Sequence, residues 1–274
     1  GLGDVYKRQA INNANHYNEG GKDLLSQNTG TMSRMEEGHP IGYFYGYKTA
    51  GVMQNAADIQ QYLKENCSGD ATKSLQGTDI KPGDLKFVDV NGDGVIDAND
   101  KTEIGSPHPD VTMGFGFNVG YKGFDLSVTT YAALGQEVMR SWRKFTDGQH
   151  ENYTTEVYKY WHGEGTSNKY PRLAPGNTGS NWQQVSDIYV EDASYFRLQN
   201  LTLGYDFKNV WKNCPFQQLR LYFSAQNLFT ITGYDGMDPE NGMALNGSEP
   251  WVTGVDVGNY PSPRTFLVGV NVKF

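Results

Sequence analysis

The chain has 274 residues, a formal net charge of −8 at pH 7, 33 glycines, and 13% aromatic residues that include 18 tyrosines. An acidic surface repels phosphates and no Lys/Arg cluster is segregated from it, which argues against a general nucleic-acid binder. A sequence that is rich in tyrosine and contains many glycines is typical of β-structure, so the composition predicts a mainly β fold.

The amino-terminal stretch starts without Met, lacks a signal peptide and shows no periodicity that joins it to the rest of the chain. We therefore interpret residues 1–38 as a truncated lead-in that could include non-native residues, and residues 39–274 as the segment that carries the fold. Cys67 and Cys214 have no metal-binding spacing, and a single bridge between them stays open. No run of about 18 apolar residues exists, which excludes a transmembrane helix but not strands of about 9 to 11 residues.

Alternating apolar and polar residues predict about six strands. In the most regular of them, Met113, Phe115 and Phe117 fall on one face and small or polar residues on the other. Lys122-Gly123 then predicts a tight turn between two strands, a hairpin. In chain order the candidates are "IGYFYGYKT", "TMGFGFNVGY", "FDLSVTTYA", "YFRLQNLTLGYDF", "LRLYFSAQNLFTI" and "FLVGVNVKF".

Two short helices are predicted between the strands. The stretch "NAADIQQYLKEN" begins with Asn55, whose side chain is a suitable N-cap, and "TTEVYKYWH" before Gly163 is the second candidate.

The loop "DVNGDGVIDAND" has the spacing of a calcium-binding loop. Its last ligand is Asp instead of the longer Glu, and the preceding "LKFVDV" predicts a strand instead of a helix. The alternative is an Asx-rich turn whose side chains cap their own backbone. A bound Ca²⁺ would have a structural role. The ligands would be Asp89, Asn91, Asp93, the Val95 carbonyl, Asp97 and Asp100, with Gly94 at the sharp turn.

Long and short connections alternate along the chain, as they do in outer-membrane barrels with short periplasmic turns and long external loops. The predicted fold is therefore all-β and antiparallel, a segment of a large transmembrane β-barrel with long extracellular loops. If the carboxyl terminus lies on the periplasmic side, the turn at Lys122-Gly123 is periplasmic and the calcium-like loop is external.

Several stretches, from about His39 to the last residue, resemble the carboxyl-terminal part of the SusC/RagA-type TonB-linked outer-membrane transporters of Bacteroidetes. This resemblance implies about the last six strands of a roughly 22-stranded barrel. It also implies import of large nutrients, glycans or peptides, with energy from a TonB complex that contacts the missing amino-terminal part, and a SusD-type lipoprotein partner. The stretches are "HPIGYFYGYKTAGVMQ", "PGDLKFVDVNGDGVIDANDKTEIGSPHPD", "WHGEGTSNKYPRL", "ASYFRLQNLTLGYDF", "LRLYFSAQNLFTITGYDGMDPE" and "NYPSPRTFLVGVNVKF".

Two further sets of residues are candidates for function. The closing strand resembles the sorting signal that the barrel-assembly machinery reads, and an unpaired strand edge can template addition to another sheet. Its residues are Phe266, Val268, Val270, Val272 and Phe274. Aromatic residues of loops could stack on sugars or contact a lid, or could only pack the loops together. These are Trp182, Tyr234, Trp251 and Tyr260.

Catalysis finds little support, because the chain has no H-E-x-x-H, G-x-S-x-G or P-loop motif. The competing interpretation is a secreted, calcium-stabilised β-sandwich that acts as an adhesin or carbohydrate-binding module. Two stacked sheets around a dry core would favour the sandwich, whereas one sheet with outer-membrane lipid against its apolar side would favour the transporter.

Overall fold

The computed structural model describes residues 16–17, 32–36, 38–141, 155–173, 181–211, 213–240, 252–256, 258 and 260–274. Most of the predicted lead-in, residues 1–38, thus lies outside the described residues. The strands are β1 (His16–Tyr17), β2 (Ser33–Met35), β3 (Tyr43–Tyr47), β4 (Thr49–Val52), β5 (Leu85–Phe87), β6 (Lys101–Gly105), β7 (Val111–Tyr121), β8 (Phe124–Leu134), β9 (Glu137–Arg140), β10 (Val190–Asp192), β11 (Tyr195–Asp206), β12 (Gln218–Thr232), β13 (Val255–Asp256) and β14 (Thr265–Lys273).

The helices are short. Helix α1 (Ala56–Asn66) is the α-helix of the described residues. Among those residues, no helix has the length and apolar character needed to cross a membrane. The 3-10 helices are Ala71–Lys73, Gly77–Asp79, Ala98–Asp100, Thr155–Lys159, Asp187–Tyr189 and Phe207–Asn209.

The chain divides into two compact units. The first comprises Gly1–His108, Glu137–Glu191 and Asn241–Gly258, and the second comprises Pro109–Gln136, Asp192–Glu240 and Asn259–Phe274.

The second unit is built on one antiparallel sheet in the order β14-β12-β11-β8-β7. Strands β7 and β8 form the predicted hairpin, in which Tyr121 pairs with Phe124. Lys122 and Gly123 have φ values of 46° and 92°, as a two-residue turn with left-handed central residues requires. Five of the predicted strands therefore lie in this sheet.

The sheet has an apolar face, defined by the row that the strand register aligns through Val119, Leu126, Leu203, Phe223 and Val268. Val268 on this face is 71% exposed. Among the described residues of the second unit, no second sheet covers the face, so the stacked pair of sheets that the sandwich interpretation requires is not found there. The alternation of residues along each strand instead gives the sheet one apolar face and one polar face.

The opposite, polar face carries ion pairs and small residues. The Arg220 Nε donates to Asp125 Oδ1 over 2.8 Å. A Cβ at Gly204 would collide with that Oδ1 atom, and a Cβ at Gly269 would collide with the Tyr222 ring. These two glycines therefore leave space for the ion pair and for the ring.

The first unit has its own sheets and its own hydrophobic core. Its strand orders are β1-β2-β3-β6, β4-β5 and β10-β9-β13. The sixth predicted strand, around Tyr43, is β3, and it belongs to this unit instead of the five-stranded sheet. Buried residues of the core include Phe44, Tyr47, Met53, Phe87, Met139, Trp182, Ile188, Tyr189 and Val252.

Helix α1 begins as predicted. Asn55 Oδ1 accepts a hydrogen bond from the Asp58 backbone N–H over 3.0 Å, which satisfies one of the free amides of the first turn. The helix packs on the core through Ile59, Tyr62 and Leu63. The second predicted helix is the 3-10 helix Thr155–Lys159, and Cys67 and Cys214 are both free.

Candidate functional site

The predicted calcium loop is closed by its own hydrogen bonds. The two carboxylate oxygens of Asp89 accept the Gly92 and Gly94 backbone N–H groups, each over 2.7 Å. Asp93 Oδ1 accepts the Val95 N–H over 2.9 Å. The side chains of the predicted ligand set thus cap the loop backbone.

Asp100 organises the end of this loop. Its side chain is fully buried, and its oxygens accept the Val90 N–H over 2.9 Å and the Asp97 N–H over 2.8 Å. Burial raises the pKa of nearby Tyr47 to about 12, and the negative charges of Asp100 and Asp97 contribute to the rise. In the described part of the chain, no group of three or more His, Cys, Asp or Glu side chains is arranged to hold a metal ion.

The closing strand β14 lies at the edge of the five-stranded sheet. Phe266, Val268, Val270 and Val272 are all exposed large hydrophobic residues. The terminal Phe274 is 84% exposed, and its ring centroid lies 5.3 Å from that of Phe216. The placement fits the periodicity of the segment, and its role as an assembly signal stays a prediction.

The loop aromatics have different environments. Trp182 is only 5% exposed, with its ring centroid 5.1 Å from that of Tyr160 in the first unit. Tyr234 is also buried, and its ring lies against Gly236. Tyr260 is 88% exposed, and Trp251 lies outside the described residues. Of the three described aromatics, Tyr260 has most of its surface open for a contact.

A polar pocket of about 350 Å³ lies in the second unit. On the sheet side, the pocket is lined by Arg197, Thr230 and Thr232. Pairing across the strands aligns these residues with Gly114 and Thr112 of β7, at the end of the sheet remote from the Lys122-Gly123 turn. Asn227 of β12 and the loops after β12 and before β14 provide the remaining walls. Its lining residues are Arg197, Asn227, Thr230, Thr232, Gly236, Met237, Asp238, Pro239, Pro261, Ser262 and Arg264.

One buried arginine holds these loops on the sheet. Arg197 is 4% exposed, and its guanidinium donates to Asp238 Oδ1 over 2.5 Å and to Glu240 Oε2 over 2.6 Å. Its Nε donates to Thr230 Oγ1 over 3.0 Å. The other oxygen of Asp238 accepts the Ser262 N–H over 2.9 Å. We call this set of contacts the Arg197 clamp.

The Arg197 clamp was not predicted from the sequence. Arg197 falls on the polar side of the alternating pattern of its strand. Asp238 follows the next strand, within the sequence Gly-Met-Asp-Pro-Glu. A charged residue inside a strand and a carboxylate in the following turn are the signals that could have indicated the pair.

Burial alone would raise the pKa of Asp238, but the pKa is lowered, because the Ser262 and Glu240 N–H groups and the Arg197 guanidinium stabilise its carboxylate. A lowered folded-state pKa stabilises the fold above the unfolded value of about 3.9. The stabilisation is lost as the pH falls through the folded-state pKa.

We therefore expect the loop 233–240 to become protease-sensitive in acid, below about pH 4. Limited proteolysis of the full-length receptor between pH 6 and pH 2 with an acid-active protease measures this, and Asp238→Asn is the matched variant. The variant should show loosening already at neutral pH and a weaker dependence on pH. Identical pH profiles of the two proteins would contradict the assignment to Asp238.

The chain is similar to curated receptors over most of its length. It is 35% identical over 243 residues to TonB-dependent receptor P3 of Formosa agariphila, which covers 88% of this chain and 23% of that protein. It is 29% identical over 273 residues to TonB-dependent receptor SusC of Bacteroides thetaiotaomicron, which covers 99% of this chain and 23% of that protein. The chain thus spans about a quarter of the length of these relatives. No family model matches the chain.

Solved structures show the same fold. The structure of the RagAB peptide transporter matches with a TM-score of 0.59 and 22% identity, over 90% of this chain and 24% of that one. The RagAB peptide importer in its "open-open" state matches with a TM-score of 0.59 and 21% identity, over 89% of this chain and 23% of that one. With the amphipathic sheet of the second unit, these likenesses identify the chain as a segment of a SusC/RagA-type TonB-dependent receptor, a transmembrane β-barrel protein of the outer membrane.

Proposed function

We propose that the chain is part of an outer-membrane active transporter that imports large nutrients, glycans or peptides, with energy derived from TonB. The observation that carries the proposal is the five-stranded sheet with one apolar and one polar face, which suits a wall between lipid and a wet channel. The similarity to TonB-dependent receptors and to a peptide transporter of known structure adds support. We assign no catalysis to the chain.

The proposed partner is a SusD-type lipoprotein that closes the outer mouth. The likeness to SusC and to the RagAB peptide transporter supports this assignment. The TonB complex would contact a part of the receptor outside this chain.

Deletion of the receptor gene should abolish growth on the imported nutrient, and loss of TonB should have the same effect. Growth of the deletion strain on a panel of glycans and peptides measures this, with uptake of a fluorescently labelled nutrient as the direct readout. Complementation with the full-length receptor should restore both. Unchanged growth and uptake of every nutrient in the deletion strain would contradict import.

We further propose that the loop Asp89 to Asp100 binds Ca²⁺. The support is the spacing of oxygen ligands. The carboxylates of Asp89 and Asp93 already accept loop amides, so ion binding competes with those contacts. We therefore expect weak affinity, with a Kd of about 10⁻⁴ to 10⁻³ M.

Calorimetry of the full-length receptor with Ca²⁺ tests the loop. Asp93→Ala should remove this binding, whereas Asn99→Ala, outside the proposed ligand set, should retain it. Absence of calcium-dependent heat in the wild-type receptor, or equal heat in the Asp93 variant, would leave the loop as a self-capped turn.

A further inference from the structure

We propose that the polar pocket beside the Arg197 clamp is a cargo-contacting subsite that takes a carboxylate group, with Arg264 as its ion-pair partner. The inference rests on the proposed import function, because the polar face of the sheet would border the path of the cargo. It adds a chemical class of ligand and a recognition residue to that function.

The charges around the pocket single out Arg264. The Arg197 guanidinium is paired with two carboxylates, Asp238 and Glu240, and is buried, so it offers no free positive charge to a ligand. Arg264 lines the same pocket and is exposed. It has no hydrogen bond or ion pair with any other residue that the structure describes. A free guanidinium on the wall of a polar pocket can bind a carboxylate in bidentate geometry.

The segment that carries Arg264 is held in place at the two residues that precede it. The Ser262 N–H donates to Asp238 Oδ2 over 2.9 Å, and Asn227 Nδ2 donates to the Pro263 carbonyl over 3.2 Å. Asn227 has a φ of 50° at the irregular register of β12, and this conformation occurs where a bulge redirects a side chain. Because the segment is anchored before ligand arrives, little ordering entropy opposes binding.

The rest of the lining defines what the carboxylate can be attached to. Thr230 and Thr232 contribute hydroxyl groups that are already bonded to Arg197 and to the Ser194 carbonyl. Met237, Pro239 and Pro261 contribute apolar surface. This mixture suits a compact polar group with one negative charge. A uronic acid unit of a glycan and an acidic side chain of a peptide share that chemistry, and both fall within the proposed cargo classes.

Binding to the purified full-length receptor tests the proposal. The probes are an oligogalacturonate and its neutral galactose counterpart, and a glutamate-rich peptide and its glutamine counterpart. We expect at least one acidic probe to bind more tightly than its neutral partner, and Arg264→Gln to weaken that probe by roughly tenfold. Arg264→Lys, which keeps the charge, should recover part of the affinity, and higher salt should weaken the wild-type interaction.

The matched control is Lys273→Gln, which removes one exposed positive charge from the opposite end of the sheet, next to Gln218 in the register. It should leave the affinity unchanged. The subsite is overturned if acidic and neutral probes bind equally, if no probe binds, or if both variants have the same effect. Growth and uptake by the Arg264→Gln strain separate the two proposals, because neutral nutrients should still be imported.

Discussion

Replacement of Phe117 with Arg should sharply reduce the amount of folded full-length receptor in the outer membrane. Phe117 lies in the middle of β7 on the apolar face and pairs with Val128. A charged residue on the lipid face near the middle of the bilayer costs about 2 to 4 kcal/mol. Heat-modifiable, protease-resistant receptor in membrane fractions measures the folded amount, and urea unfolding in lipid vesicles measures the free energy.

The neighbouring Asn118 provides the control. It pairs with Ser127 on the polar face, so Asn118→Arg adds the same charge one residue along the strand but places it on the wet side. This variant should fold nearly as well as the wild type. If the two variants lost the same amount of folded receptor, the expected difference in solvation between the two faces of the sheet would be contradicted.

Replacement of Arg197 with Met should destabilise the receptor by about 3 to 5 kcal/mol, because it leaves two carboxylates beside a buried position without their cation. The effect should appear first as protease cleavage of the loop 233–240. Urea unfolding in lipid vesicles measures the free energy. The matched control is Arg220→Met, which breaks the more exposed pair with Asp125 and should cost only about 0 to 1 kcal/mol. A cost for Arg197→Met no larger than that of the control would argue against the clamp.

The sheet of the second unit could be predicted because its determinants are local. A period of two assigns Phe115 and Phe117 to one face wherever the strand is placed, and Lys122-Gly123 selects a two-residue turn between adjacent strands. The placement of β3 could not be predicted in this way. Its partners are Ser33, Arg34 and residues near Glu103, and alternation does not say which distant strand a segment pairs with.

The loops and the pocket were harder to predict, because their determinants are contacts between distant residues. Whether Trp182 faces a ligand or a core depends on where Tyr160 and Tyr189 lie. The same holds for Arg197 and Asp238, which are 41 residues apart. In the loop Asp89 to Asp100, one spacing is compatible with an ion and with a self-capped turn, so the pattern of oxygens alone does not separate them.

The first unit draws its core from pieces of chain that the strands of the second unit interrupt. Met139 donates its backbone N–H to the Gly254 carbonyl over 2.9 Å, and Phe44, Met139 and Val252 belong to the same core. Loop closure over such separations carries an entropic cost before the contacts form, which slows folding. We therefore expect the core of this unit to close only once the residues near Val252 are available, and a polypeptide truncated before them to leave apolar core residues exposed.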